Sequence, residues 1–282
     1  MKKIIHRLGR LILIFFYYIK VRLYKYYLKR VKIDHNLKSE LIVSLTSYPA
    51  RYKTLHLTLK SILMQNIKVD KVILWVSHED FTSLPGNVLD LQKYGLTIYK
   101  TDDIKSYKKI IPALKKYPFS AIITLDDDLY YPHNLVKKLV ETAHTNPGMV
   151  IANRTHVIQY NYRGEIKPYH LWQSCAYNNL NPSNNFPTGV GGVLYPPNSL
   201  HPDVVNAEIF MKLAPRADDV WLYWMTRKNN RCIINTGYVF SYISWPQTQN
   251  VGLFITNTSD NELNNDAQIS HMINYYGLPK NM

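Results

Sequence analysis

Three consecutive carboxylates, Asp126, Asp127 and Asp128, directly follow the apolar run Ala121-Ile122-Ile123-Thr124-Leu125. A short continuous apolar run of this kind predicts a buried strand, which sets the acids at its carboxyl end. Crowded there, they repel one another, and each is driven toward the protonated form unless a cation offsets the charge. Hard oxygen donors suit Mg²⁺ or Mn²⁺, which take one or two carboxylates and complete the shell with water and substrate phosphates. In open α/β sheets, ligands gather where strand carboxyl ends meet loops. The triplet is therefore a candidate divalent-metal site holding a diphosphate. The alternative is a solvated turn ahead of a helix that begins near His133.

A second acidic pair, Asp218-Asp219, follows Pro215-Arg216-Ala217 and opens the helical pattern Val220-Trp221-Leu222-Tyr223-Trp224-Met225. Acids are favoured at a helix N-terminus by the free amides and the macrodipole. An N-cap accounts for one acid and leaves the other as a candidate general base, its pKa lifted by burial. The loop Thr188-Gly189-Val190-Gly191-Gly192-Val193 permits close approach of backbone to a ligand. It lacks the strand-to-helix setting of a dinucleotide fingerprint, and a tight turn between strands explains it equally well.

The elements that must position these groups alternate through the first half of the chain. Strands are predicted at Leu41–Leu45, Lys71–Val76, Leu96–Tyr99 and Ala121–Leu125, with helices over Lys53–Gln65 and Ser106–Lys116. Continuous apolar strands separated by helices imply a mostly parallel, Rossmann-like sheet covered on both faces. Residues 38–132 form a nucleotide-binding half and residues 133–282 an acceptor half of one α/β domain. The second half is mixed: a hairpin around Arg163-Gly164, a loop rich in Asn, Pro and Gly, and helices over Pro202–Leu213, Ala217–Lys228 and Asp266–Tyr276.

The formal charge of +14 is concentrated at the N-terminus. Residues 1–33 carry ten Lys or Arg and no acid, which leaves 24 basic against 20 acidic residues elsewhere. A body this close to neutral argues against nucleic acid as a partner. Leu8, Leu11, Ile12, Phe15, Ile19 and Leu23 recur at helical spacing, and the unbroken apolar run, Leu11–Ile19, is nine residues. That falls well short of the roughly 20 residues a span requires. Residues 1–37 are thus expected to form a basic amphipathic helix on an anionic membrane surface, with an extra packed helix as the alternative. Cys175 and Cys232 lack metal-ligand spacing and suit a reducing compartment. The sequons at Asn153 and Asn257 match a pattern common by chance.

Taken in order, these motifs resemble the GT-A fold glycosyltransferases, and more closely the bacterial family-2-like enzymes that build surface polysaccharide or lipooligosaccharide. Leu125-Asp126-Asp127-Asp128 is similar to their DXD motif, Gly189–Gly192 to the segment walling the donor sugar, and Asp218-Asp219 to their usual Glu-Asp acidic motif. Ser44-Leu45-Thr46-Ser47-Tyr48-Pro49-Ala50-Arg51 resembles the first strand and loop, which contact the nucleotide. The resemblance covers about residues 40–280. It implies a metal-dependent, inverting transfer from a nucleotide sugar, UDP-linked in the first instance, to a glycan or glycolipid hydroxyl at the cytoplasmic face of the membrane. Asp128, with Asp126, would hold Mn²⁺ or Mg²⁺, and Asp126 or Asp127 would reach the ribose or a metal-bound water. Asp219 would be the base and Asp218 its support. Thr46, Tyr48, Arg51, Lys108 or Lys109, Gly191 and Gly192 would contact the donor. His271 matches a C-terminal metal ligand found in many such enzymes, although an exposed helical histidine accounts for it as well. Tyr160, Tyr162, Trp172 and Trp221 are candidates for stacking on acceptor sugars, with core packing as the default. The rivals are a metal-dependent phosphotransferase or hydrolase, and a non-catalytic membrane-tethered scaffold.

Overall fold

The apolar runs of the first half become the centre of a seven-stranded sheet in a computed structural model that describes residues 2–177, 179–246, 248 and 263–279. The strands are β1 (Leu41–Thr46), β2 (Lys71–Ser77), β3 (Leu96–Thr101), β4 (Ala121–Thr124), β5 (Val150–Ala152), β6 (Val193–Tyr195) and β7 (Ile233–Asn235). Their spatial order is β7-β5-β6-β4-β1-β2-β3. All pairings are parallel except those of β6, which runs antiparallel to both β4 and β5. The chain proceeds outward from β1 through β2 to β3, then returns to place β4 on the opposite side of β1. This reversal makes the carboxyl ends of β1 and β4 the switch point, where a crevice opens because the connections leave in opposite directions.

Both faces are covered, as an α/β sheet requires. On one face Val43, Leu45, Val72, Leu74 and Ile123 pack with Leu55, Leu59 and Ile62 of α2 (Tyr52–Leu63) and with Leu135 and Leu139 of α3 (Leu135–Thr145). On the other face Ile42, Ile73 and Ile122 meet Ala113, and further along Val150, Val193 and Tyr195 meet Phe210 and Trp221. The middle of helix α4 (Asp218–Lys228) is enclosed on every side, and Val220, Trp221, Leu222, Tyr223, Trp224 and Met225 are all buried. At ~1.5–3 kcal/mol for each large apolar side chain, this burial fixes the helix start that carries the acidic pair.

The expected helix over 106–116 divides into a tight turn at Lys105–Lys109 and a short helix at Ile111–Lys116 with Pro112 in its first turn. Proline lacks the amide that a continuous helix would use there. Around the Arg163-Gly164 turn, Thr155–Val157 pairs antiparallel with Gln173–Ala176, and Asn185–Pro187 flanks the first of these strands. Asn153 is fully buried and hydrogen-bonded, so it is no glycan acceptor. The sequon at Asn257 lies outside the described residues.

The N-terminal arm is a helix, α1 (Lys2–Arg22), followed by a short helix at Tyr24–Leu28. Its proximal part is packed on the domain. Tyr17 stacks on Tyr130 with ring centroids 3.9 Å apart, Val21 is buried against Leu57, Tyr130 and Trp245, and Tyr24 joins the main core. Lys32 Nζ donates to the Leu63 carbonyl at 3.0 Å, and Ile33–Asp34 pairs with Ile67–Lys68. The distal part exposes Leu11, Ile12, Phe15 and Phe16. Among the described residues, no helix is long and apolar enough to cross a membrane.

Candidate active site

Asp126, Asp127 and Asp128 leave β4 at the switch point, beside Thr46, Ser47 and Tyr48 leaving β1. The turn is held from behind. Thr58 Oγ1 donates to the Asp127 carbonyl at 2.9 Å, Trp245 Nε1 donates to that hydroxyl at 2.9 Å, and the Trp245 amide donates to the Asp128 carbonyl at 2.9 Å. The Asp126 amide donates to the Tyr131 hydroxyl at 2.8 Å. In front of the turn lies a cavity of about 870 Å³, walled by all three acids, Thr46, Tyr48, Arg51, Lys108, Lys109, Thr188, Asp218 and Asp219 among others. The two acidic clusters, ninety residues apart in sequence, therefore share one space.

The cation expected to offset the triplet is supplied in part by the protein. The protein supplies two cations of its own. Arg51 Nη1 lies 2.6 Å from Asp128 Oδ2 and 3.3 Å from Asp127 Oδ1. Lys109 Nζ bridges the clusters, 3.1 Å from Asp126 Oδ1 and 2.8 Å from Asp218 Oδ2. Burial alone would lower the Lys109 pKa, but Asp126, Asp218 and Asp219 together hold it well above the ordinary value. Asp127 also accepts from Ser47 Oγ, yet burial outweighs Arg51 and pushes its carboxyl up to about 7. Burial likewise raises Asp128, against the opposing pull of Arg51.

The acidic pair departs from the capping expectation. Ala217 occupies the N-cap position without a side-chain hydrogen bond, and both acids lie inside the first turn of α4. Asp218 is turned to Lys109, whereas Asp219 Oδ2 accepts from the Gly189 amide at 3.2 Å. Burial, then the neighbouring Asp218 charge, raises Asp219 to about 7 despite Lys109 and the Gly189 amide. Its Oδ1 has no protein partner among the described residues. Gly189 lies close to both clusters: a Cβ there would stand 3.0 Å from Lys109 Nζ and 3.1 Å from Asp126 Oδ1, so these side chains would have to shift slightly.

Thr46, Tyr48, Arg51, Lys108, Asp126, Asp127, Asp128, Asp218 and Asp219 all line the cavity. Within that wall Thr46 Oγ1 is engaged by the Trp75 carbonyl at 2.8 Å, and Lys108 Nζ by Asp103 at 2.5 Å, so the bridging lysine is Lys109. Gly191 and Gly192 do not reach the cavity wall. A Cβ on Gly191 would strike the Arg154 backbone, and Gly192, at φ +82°, packs against Leu125. Thr188 and Val190 present this loop to the cavity instead. His271 is a correction: it lies on α5 (Asn265–Tyr276), its Nδ1 is 3.2 Å from the Leu213 carbonyl, and it faces a separate depression with Lys212 and Tyr275. The candidate stacking aromatics are also displaced. Trp221 and Trp172 are buried in the core and Tyr162 is exposed on the hairpin, while Tyr48, Tyr169, Phe186 and Tyr242 line the cavity. Sequence reasoning quoted Ser47 only as part of the first loop and passed over Arg154, Tyr169 and Trp245. Of these three Arg154 carried a positional signal, two residues beyond the carboxyl end of β5.

A divalent ion fits this donor set. Asp126 and Asp128 both border the cavity, and the Asp126 side chain keeps 27% of its surface accessible. The five carboxylates of the two clusters border one cavity, with Arg51 and Lys109 paired among them, so hard oxygen donors converge on the space in front of the turn. Among the described residues, no three His, Cys, Asp or Glu side chains cluster tightly enough to cage an ion alone. The shell would have to be completed by water and ligand phosphates, the habit of Mg²⁺ and Mn²⁺.

No protein-family model and no curated protein matches this sequence. Solved structures similar to the chain include a mannosyltransferase of Pyrobaculum calidifontis in complex with GDP-Man and Mn²⁺, at 15% identity and a TM-score of 0.44. That match covers 81% of this chain and 64% of the other. Glucosyl-3-phosphoglycerate synthase of Mycobacterium tuberculosis, with Mn²⁺, UDP and glucosyl-3-phosphoglycerate, is similar at 12% identity, covering 87% and 83%, with a TM-score of 0.45. A 4-diphosphocytidyl-2C-methyl-D-erythritol synthase of Anaerococcus prevotii is similar at 14% identity, covering 80% and 95%, with a TM-score of 0.46. These likenesses are distant, and the functional reading rests on the residues of the site.

Proposed function

We propose that the protein is a glycosyltransferase that moves a sugar from a nucleotide-sugar donor to a hydroxyl of a glycan or lipid-linked acceptor, with inversion at the anomeric carbon. The observation that carries this reading is the shared cavity. A base-competent acid, Asp219, stands across from a strand-end acid cluster fit to hold a metal diphosphate, with Lys109 locking the two together. The donor diphosphate lies against Asp126, Asp128 and the cations of the β1 and Lys105–Lys109 turns. A divalent ion held by Asp126 and Asp128 would neutralise charge on the leaving diphosphate. Asp219 takes the proton of the acceptor hydroxyl while the acceptor oxygen bonds to the anomeric carbon. The anomeric C–O bond to phosphate breaks, and its electron pair leaves with the nucleoside diphosphate. Gly189 fixes Asp219 through Oδ2, leaving Oδ1 to receive the proton. One base opposite one leaving group favours inversion.

The reading extends to location. The distal α1 stripe of Leu11, Ile12, Phe15 and Phe16, flanked by Arg10 and Lys20 with no acid in residues 1–33, suits the anionic inner face of the cell membrane, and synthesis of surface glycans is the matching role. The decisive test is a screen of UDP-, GDP- and CMP-sugars with Mn²⁺. It should give nucleoside diphosphate and a glycosylated product with wild type and neither with Asp219→Asn. Release of inorganic phosphate without glycosylated product would favour the phosphotransferase or hydrolase instead.

A further inference from the structure

The acceptor half of the cavity contains a cation that the reaction above does not use. Arg154 lies just past β5 on the cavity wall, with His156, Tyr169, Phe186, Arg216 and Tyr242 around it. Its Nε donates to Cys175 Sγ at 3.3 Å, its Nη1 donates to Thr188 Oγ1 at 3.2 Å, and its guanidinium sits 5.5 Å from the centre of the Tyr242 ring. All three partners are neutral, and no carboxylate pairs with Arg154 among the described residues. This contrasts with Arg51, Lys108 and Lys109 on the same wall, each of which meets a carboxylate. His156 adds no competing charge. Burial, reinforced by Arg154, lowers its pKa to about 4, and its Nδ1 accepts from the Cys175 amide. The ring of Tyr169 stands edge-on to His156 at 5.7 Å and beside Phe186 at 6.1 Å, forming an apolar surface next to the guanidinium. Thr188, which holds Arg154, directly precedes the glycine that holds Asp219, so cation and base are held by adjacent residues of one loop.

A half-buried guanidinium held by neutral groups keeps its fork of donors for an oxyanion, the geometry that carboxylates and phosphates match best. We propose that Arg154 forms an anion subsite for the acceptor, so that the sugar accepted at Asp219 bears a phosphate or carboxylate group, with Tyr169 and Phe186 against its ring. This rests on the transferase reading and names the substrate class within it.

The test uses the full chain and two probes, inorganic phosphate and acetate, titrated calorimetrically into protein with and without UDP and Mn²⁺. Wild type should take up one oxyanion with UDP present. Arg154→Gln should weaken that uptake at least tenfold and Arg154→Lys by a smaller factor, since lysine keeps the charge but not the fork of donors, while all three bind UDP equally. Preference for phosphate over acetate would mark a phosphorylated acceptor, and the reverse a carboxylate-bearing one. Absence of oxyanion uptake by wild type, or equal uptake by Arg154→Gln, would overturn the subsite. Loss of UDP binding by wild type would count against the transferase alone, because the Arg154-dependent uptake is also measured on nucleotide-free protein.

Discussion

At Asp219, environment converts an ordinary carboxyl into a group that titrates near neutrality. Only its ionised form can take a proton, so kcat/KM should fall about tenfold per pH unit below about 7 and level off above it. A pH–rate profile checks this, and Asp219→Asn should cost roughly 10²–10⁴ in kcat. The same shift governs stability, with opposite sign. Because Asp127 and Asp219 bind protons more tightly folded than unfolded, the protein should lose stability as pH rises from about 4 through about 7. Thermal denaturation across that window should show a falling Tm, and Asp219→Asn should flatten the slope. Lys109 has a different task. Replacing it by Met strands Asp126 and Asp218, and a loss of about 3–5 kcal/mol in urea unfolding is expected.

At the scale of elements, the strand-end position of Asp126–Asp128 was legible in sequence because a short apolar run followed by acids has few other foldings. The helix under Asp218-Asp219 was equally clear from its apolar content. What stayed hidden was everything set by tertiary pairing. Arg51 could be named as a cavity residue, yet its pairing with Asp127 and Asp128 depends on β1 and β4 lying side by side. The same pairing made the metal argument incomplete, since like-charge crowding can be relieved by protein cations. His271 was misplaced because helical position says nothing about which cleft a helix faces. Trp221 and Trp172 show that a large aromatic defaults to the core, while the cavity took Tyr169 and Phe186 from a hairpin and strand whose facing is set by β-pairing.

For the molecule as a whole, the arm couples two roles that sequence treated as separable. Tyr17, Val21 and Tyr24 are part of the fold, and Tyr17 and Val21 pack with Tyr130 and Trp245, the latter backing the acidic turn, so removing residues 1–33 would strip packing as well as the proposed membrane-binding surface. Deleting residues 1–16 spares those contacts. This shorter truncation should abolish sedimentation with anionic vesicles while preserving turnover on a soluble acceptor. Binding of the full chain to such vesicles should weaken as salt rises, because screening shortens the reach of surface charge. A 1–16 deletion that still sediments would show that the distal helix has been misassigned.

The claim at the centre is that strand-end acids clamp a divalent ion onto a nucleotide-sugar diphosphate. Calorimetric titration of UDP-, GDP- and CMP-sugars, with and without Mn²⁺, into wild type and an Asp126→Ala/Asp128→Ala double variant addresses it directly. One donor class should bind wild type only with the metal and should fail to bind the variant, whose near-ultraviolet spectrum stays native. Metal-dependent binding that survives in the variant, or no donor binding to wild type at all, would contradict the account.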